Sequence, residues 1–266
     1  MKQLRGKKAL ITGAASGIGR AIALELASEG TDLYLIDIDE KGLADVASEA
    51  KRRDIEVVER RCDLRVVQQI EESISHVVEN WGGCDILVNN AGILLYGATD
   101  QTTDDQWAQL TAVNLHAPVY FMRALLPILL RRPEAHILNV CSIYGLVPKR
   151  RLAAYEMAKF ALVGLSQSLR LEYGPRGLGI TALCPGLVKT GLVTAAREQN
   201  RLGGRLNLDT KLAVSADVVA RRAVKAIRRN EGLVVVSTHA KGLWLLHRCF
   251  PRLLDRWQHF KRRRKP

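Results

Sequence analysis

Residues 9–19 read Ala-Leu-Ile-Thr-Gly-Ala-Ala-Ser-Gly-Ile-Gly, an apolar run that gives way to three glycines and then to a helix-forming stretch. Gly13, Gly17 and Gly19 therefore lie between a predicted strand ending at Ile11 and a predicted helix over 18–29. In that setting glycine permits a tight turn, lets the backbone approach a pyrophosphate, and lets helix and strand pack closely. The helix N-terminus opening at Ile18 offers free N–H groups and the positive end of a dipole to phosphate oxygens. Glycines alone are weak evidence, because a turn can use them for their dihedrals only. Asp37 adds weight. It falls twenty residues after Gly17, where the apolar run Leu33-Tyr34-Leu35-Ile36 ends. A carboxylate at that point can accept hydrogen bonds from ribose hydroxyls. Alone, Asp37 reads as a surface aspartate; with the glycines, a dinucleotide site is favoured.

The same alternation continues along the chain. Helical stretches are expected over about 39–52, 64–80, 103–130, 152–173 and 215–229. Strands are expected at Val57-Val58, Ile86–Val88, His136–Val140, Ile180–Cys184 and Leu233–Val236. Strands and helices in strict alternation give a parallel sheet covered on both faces. The expectation is an α/β protein with one doubly wound Rossmann-type sheet of about seven strands. The domain expectation is a dinucleotide-binding and catalytic unit over 1–240, followed by a basic amphipathic extension over 241–266.

The 266 residues carry 40 Lys plus Arg against 27 Asp plus Glu, a formal net charge of +13. Most of the excess is local. Residues 241–266 hold nine basic side chains against Asp255 alone, whereas the other 240 residues are close to balance. No stretch reaches the roughly 18 consecutive apolar residues of a membrane span. The basic N-terminus MKQLRGKKALITG lacks the apolar core of a signal peptide. Five widely spaced cysteines, Cys62, Cys84, Cys141, Cys184 and Cys249, include no C-x-x-C. Disulfide frameworks and metal sites are not expected, and a reducing cytoplasm is the simplest compartment.

Tyr155 and Lys159 stand four residues apart on one face of a predicted helix. A phenol near pKa 10 is a poor acid–base group at neutral pH, and a neighbouring ammonium favours its anion. The expectation is that Lys159 lowers the Tyr155 phenol so that it can exchange a proton with an alcohol or carbonyl. Ser142 follows the strand 136–140, at the end where open α/β sheets place ligands, and its hydroxyl can meet a developing oxyanion. Each residue has a bland alternative. Tyr155 could be an amphipathic surface group, Lys159 a solvated charge, Ser142 a cap.

With the glycine turn, these residues resemble the short-chain dehydrogenase/reductase family over about residues 5–237. The resemblance rests on TGAASGIG (12–19), Asn89-Asn90-Ala91-Gly92, Asn114, Ser142, the Tyr155/Lys159 pair, and Pro185-Gly186 followed by Thr190. It implies NAD(P)-dependent interconversion of an alcohol and a ketone. Tyr155 would be the acid/base, Lys159 would bind the nicotinamide ribose, and Ser142 would orient the substrate oxygen. Asn114 would hold a water that relays protons from Lys159. Thr190 and the backbone at Val188 would meet the carboxamide, and Asp63, followed by Leu64, would meet the adenine. Asn90 would support the central sheet beside the cofactor. NAD is expected in preference to NADP, because Asp37 and Asp39 would repel a 2′-phosphate. Ser16 also stands where NADP-preferring relatives often carry a basic side chain.

The substrate expected is a hydrophobic secondary alcohol or ketone, such as a steroid, retinoid or lipid, held by loops after Ser142, around Tyr96 and across 191–213. The alternatives are a 3-oxoacyl carrier-protein reductase, which fits Asp37 poorly, and a non-catalytic NAD sensor, which the Ser–Tyr–Lys set disfavours. A homodimer or homotetramer is expected from the apolar and small residues Ala154, Ala158, Ala161, Leu162 and Leu165. In 243–260, Leu246, Phe250, Leu253, Leu254, Trp257 and Phe260 form one helical stripe beside Arg248, Arg252 and Arg256, with Arg262-Arg263-Arg264-Lys265 beyond. That stripe fits a lid or subunit contact, or a peripheral anchor on anionic lipid. Pro251 should interrupt it or open a second helix. No basic groove continues the patch, so nucleic acid is not an expected partner.

Overall fold

A computed structural model of the chain describes residues 1–198 and 212–252. Strand β1 (Lys8–Thr12) turns into α1 (Gly17–Ser28), followed by β2 (Asp32–Asp37), α2 (Glu40–Lys51) and β3 (Val57–Arg61). Next come α3 (Val67–Glu79), β4 (Ile86–Asn89), α4 (Asp104–Thr111) and α5 (Ala117–Leu129). They lead to β5 (Ala135–Val140), α6 (Ala153–Tyr173) and β6 (Leu178–Pro185). Short elements β7 (Val188–Lys189), α7 (Leu192–Glu198) and β8 (Val214–Ser215) precede α8 (Ala216–Arg229), β9 (Leu233–Val236) and α9 (Thr238–Cys249).

Seven strands pair in the order β3-β2-β1-β4-β5-β6-β9, and every pairing is parallel. The direction of winding reverses between β1 and β4, where the strand ends leave a crevice for a ligand. Central strands are buried throughout, in every residue of β4, β5 and β6, and their polar Asn89 and His136 pair with Asn139 and Thr181. Parallel strands covered on both sides require such continuous burial. One face packs Ile22, Leu26, Val46, Val219 and Ile227, and the other packs Ile70, Phe121, Leu125 and Leu162.

The main departures from the sequence pattern have local causes. The helix expected from 64 begins at Val67, because the Asp63 carboxylate accepts the Arg65 N–H and its carbonyl accepts the Val66 N–H, closing a turn first. The long helix expected over 103–130 is not regular. It starts at a Thr103–Gln106 capping box and widens into one π-turn, Ala112–His116, before resuming as α5. Pro118 brings no N–H to the next turn, so a carbonyl of the Val113–Asn114 turn has no helical partner. Asp104–Leu129 is long and apolar enough to cross a membrane by length and composition, yet Leu110, Val113, Phe121, Leu125 and Leu129 are buried against the sheet side of the protein.

Two further corrections concern surfaces. Ala154, Ala158 and Leu162, expected to be surplus to the core, are buried within it. The outward face of α6 instead shows Met157, Phe160, Ala161, Gly164 and Leu171. At the C-terminal end, residue 240 lies inside α9. Ala240 is buried and Leu243 and Trp244 pack on the core, whereas Leu245, Leu246 and Phe250 face outward at 51%, 38% and 60% exposure. Helical residues resume at Pro251. The rest of the expected stripe (Leu253, Leu254, Trp257, Phe260), with Arg256 and the run 262–265, lies outside the described residues, as does 199–211 of the expected substrate loop.

Candidate active site

The crevice between β1 and β4 is floored by backbone that cannot accept side chains. Gly13 has φ +68°, and a Cβ there would stand 2.7 Å from Ala91 Cα; one on Gly19 would stand 2.0 Å from the Gly13 carbonyl oxygen. Thr12 and Asn90 tie the two strands together. The Thr12 hydroxyl accepts the Asn90 and Ala91 N–H groups (3.1 and 3.2 Å), and Asn90 Nδ2 donates to the Thr12 and Gly13 carbonyls (3.0 and 2.9 Å). Ser16 places no side-chain cap on α1, so the N–H groups of its first turn stay available at the cavity that Ser16, Gly17 and Ile18 line.

Asp37 closes β2 with its carboxylate held by three backbone amides. Ala15 donates to Oδ2 at 3.0 Å, and Ile38 and Asp39 donate to Oδ1 at 2.7 and 3.1 Å. Asp63 lies nearby, gripped by Arg65 through Nε and Nη2, and this pairing holds its carboxyl below the usual carboxylate range. Both aspartates, with Leu64 and Arg65, line a cavity of about 490 Å³. The same cavity runs past Asn90, Ala91 and Gly92 to Tyr155, Lys159 and Thr190.

At that far end, α6 buries Tyr155 and Lys159 together. Lys159 Nζ stands 5.9 Å from the Tyr155 ring centroid and donates to the Val140 carbonyl at 2.9 Å. The expected lowering of the phenol is corrected here. Burial pushes Tyr155 up to about 12, the nearby Ser142 hydroxyl opposes the rise, and burial also pushes the Lys159 ammonium below its ordinary value. Desolvation outweighs the charge because the ammonium is turned toward the carbonyl rather than the phenol. Ser142 is buried and also accepts the Tyr144 N–H at 3.1 Å, so it caps the turn that follows β5.

Asn114 sits in the π-turn and spends its side-chain amide on Ile93, donating to the carbonyl at 2.9 Å and accepting the N–H at 2.8 Å. A methyl on Gly92 would touch both Asn114 Oδ1 (3.4 Å) and Lys159 Nζ (3.6 Å), which measures how near the two side chains come. Gly19, Asn114, Ser142, Pro185, Gly186 and Val188 stand behind the lining rather than in it. Pro185 and Gly186 end β6 against β9, and Val188 pairs with Val214.

Sequence reasoning missed several lining residues: Ile38, Arg65, Val113 and Val140. Apolar loop residues carry no motif, and only the fold gathers them. In the expected loop after Ser142, Lys149 Nζ donates to the Tyr144 hydroxyl at 3.0 Å and the Lys149 N–H donates to Glu156 Oε1 at 2.6 Å. Around Tyr155 lies a buried apolar cluster of Leu94, Leu95, Leu110, Leu152 and Ala196, with Tyr96, Trp107 and Leu192 packed against it.

A family model described as short chain dehydrogenase matches residues 7–201. An uncharacterized oxidoreductase of Staphylococcus saprophyticus is 32% identical over 232 residues, covering 87% of this chain and 97% of that protein. A short-chain dehydrogenase/reductase from Burkholderia phymatum, solved in complex with NAD, superposes with a TM-score of 0.84 at 28% identity, covering 96% of this chain and 97% of that one. A short-chain dehydrogenase from Sphingobium yanoikuyae in complex with NADPH gives a TM-score of 0.79 at 25% identity, covering 98% and 96%.

Glu156 yields a pH prediction. Burial pushes its carboxyl up from 4.5 to about 7, against the opposing pull of the Lys149 amide and ammonium. Where the native state keeps this proton and the unfolded chain has lost it, stability falls with rising pH. The fall should run from about pH 4.5 to about pH 7 and then stop. Glu156→Gln keeps an acceptor for the Lys149 N–H. It should stabilise the protein above pH 7 by on the order of 1–2 kcal/mol and flatten the slope below. Thermal melts across this range check it; an unchanged profile would count against the buried carboxylate.

Proposed function

The chain belongs to the short-chain dehydrogenase/reductase family and is an NAD(P)-dependent oxidoreductase, and from that premise we propose that it interconverts an apolar secondary alcohol and its ketone with NAD. One observation carries the reading: a single cavity runs from the Asp37 carboxylate to Tyr155 and Lys159. The residues fit a dinucleotide. Gly13, Ser16, Gly17 and Ile18 would hold its pyrophosphate at the uncapped end of α1, Asp37 its adenosine ribose, and Asp63 and Leu64 its adenine. Ala91, Gly92, Pro185, Gly186, Val188 and Thr190 would border the nicotinamide end. When bound, NAD supplies the hydride acceptor.

The side chains handle the proton. A phenol pushed up to about 12 is fully protonated near neutrality and is ready to donate to a carbonyl oxygen during reduction. In the oxidative direction it must accept the alcohol proton, which requires positive charge beside it, and Lys159 is the buried cation within reach. Ser142 would orient the substrate oxygen and stabilise charge developing on it. The π-turn carbonyl beside Asn114 would hold the water that returns protons to Lys159.

NAD preference rests on Asp37, whose carboxylate is fixed by three amides and would repel a 2′-phosphate. Arg65 is the nearby cation that a phosphate would seek, but Asp63 already holds it. The apolar residues Ile93, Val113, Leu192 and Ala195, which line the cavity with Tyr155, support a hydrophobic substrate. A screen over steroids, retinol and medium- to long-chain alcohols would identify it. Tyr155→Phe should then lower kcat by about 10²–10⁴-fold with NADH affinity unchanged. Comparable kcat/KM with NADH and NADPH would overturn the NAD preference.

The outward apolar face of α6, Met157, Phe160 and Leu171, supports a homodimer or homotetramer. Sedimentation should give at least twice the 29.5 kDa chain mass, and Phe160→Glu should shift it toward the monomer. A wild-type monomer at micromolar concentration would exclude the oligomer.

Exposed Leu245, Leu246 and Phe250, with Lys241 and Arg248 on α9 and Arg252 just beyond its break, support peripheral contact with an anionic bilayer. Vesicles containing phosphatidylserine should pellet the protein at low salt, and Leu246→Ser/Phe250→Ser should abolish this. Equal pelleting of both proteins would remove the proposal.

A further inference from the structure

The end of the sheet opposite the catalytic crevice holds a second cavity, of about 520 Å³, which shares no lining residue with the first. It lies where the central strands begin: Lys8 opens β1, Asp85 precedes β4 and Glu134 precedes β5. Six charged residues line it, Arg5, Lys7, Lys8, Asp85, Arg132 and Glu134, and among the described residues no apolar side chain does. A cavity without apolar lining cannot hold an occupant by hydrophobic burial, so charge and hydrogen bonds must do so.

Two glycines make room for the arginines. A Cβ on Gly83 would stand 2.9 Å from Arg132 Nη2, and one on Gly30 would stand 3.3 Å from the Arg5 guanidinium carbon. Arg132 Nη2 donates to the Gly82 carbonyl, which fixes the guanidinium beside the start of β4. The walls are fastened to the sheet as well. The Lys8 N–H donates to Asp85 Oδ2 at 2.9 Å, the Asp85 N–H donates to the Lys8 carbonyl at 2.8 Å, and the Gly6 N–H donates to the Gly30 carbonyl at 2.8 Å.

The charges do not cancel. Asp85 Oδ1 stands 3.6 Å from Arg132 Nε, too far for a hydrogen bond, and that buried Nε has no hydrogen-bond partner. Glu56 stands 4.0 Å from Lys8 Nζ, which also donates to the Trp81 carbonyl, and Glu134 stands 3.9 Å from the amino terminus. Each carboxylate thus has its own cation. Arg5 and Lys7 are left over: among the described residues neither forms an ion pair.

We propose that this cavity binds a phosphate dianion, free or as the phosphoryl group of a small polar ester. The two unpaired cations, Arg5 and Lys7, match the two charges of such a group, and Arg132 adds a guanidinium already held in place. A cavity of this size exceeds what phosphate alone fills, and its polar lining suits a hydroxylated remainder rather than an apolar one. An occupant would tie the N-terminal segment to the turn between α5 and β5, so binding stabilises the folded chain by mass action.

Inorganic phosphate is titrated by calorimetry onto the full-length protein saturated with NADH, which keeps phosphate off the glycine turn. The buffer is held at about pH 8, where phosphate is a dianion, and at constant ionic strength. Binding should saturate at one phosphate per chain and raise the melting temperature. Arg5→Met and Lys7→Met should each weaken it by about tenfold, the loss of one charge-assisted hydrogen bond, with NADH affinity unchanged. Arg221→Met removes an exposed cation from α8 and should leave phosphate binding as it is, which separates a site from net charge. Ribose 5-phosphate distinguishes the sources: tighter binding assigns the site to an ester, equal binding to free phosphate. No saturation up to about 10 mM phosphate would overturn the proposal. So would wild-type affinity in both Arg5→Met and Lys7→Met, or equal weakening by Arg221→Met.

Discussion

The first turn of α1 lies so close to the end of β1 that a methyl on Gly19 would overlap the Gly13 carbonyl, at 2.0 Å, and the Asn90 amide, at 2.4 Å. Every other part of the binding cavity depends on that approach. It brings the uncapped N-terminus of α1 to the edge of the sheet, where its N–H groups face the crevice rather than solvent. It also lets Asn90 reach across to the Thr12 and Gly13 carbonyls, so the exit of β4 is fastened to the glycine turn. Any side chain at Gly19 would push these three segments apart and separate the anion-binding turn from the strand that leads to Gly92 and Ile93.

Burial is the second organising force, and at the catalytic end it acts against ionisation. Tyr155 and Lys159 are both inside the protein, and desolvation disfavours the phenolate and the ammonium alike. Burial therefore works against charge on both groups. Positive charge supplied from the cavity, or a turn of Lys159 away from the Val140 carbonyl, changes that balance. A site of this kind keeps its proton until a substrate oxygen is present to take it. The same desolvation strengthens every hydrogen bond formed there.

Much of the site was readable as residues before it was readable as geometry. Gly13, Gly17 and Gly19 between a strand and a helix, Asp37 after the second strand, and Tyr155 four residues before Lys159 each carry a mechanism tied to spacing. Spacing along one helix or across one turn is preserved on folding. The Asn114 neighbourhood was different: a regular helix over 103–130 was the natural reading, and the π-turn arises because Asn114 anchors Ile93 from another segment while Pro118 withholds an N–H. The surplus of small residues on α6 was similarly misjudged, since only the packed structure distinguishes Ala154 and Ala158, which are buried, from Phe160 and Leu171, which are not.

From sequence alone, then, the alternation of strands and helices, the glycine turn and the placing of Tyr155 and Lys159 on one helix face could be read, because each is encoded by local periodicity or by residues a few positions apart. Tertiary structure decided the rest. Whether Lys159 lowers or fails to lower a phenol depends on a carbonyl from β5, nineteen residues away in the chain. Electrostatics and desolvation depend on distance in space and on what has been removed from water, and neither is fixed until the sheet has brought distant segments together.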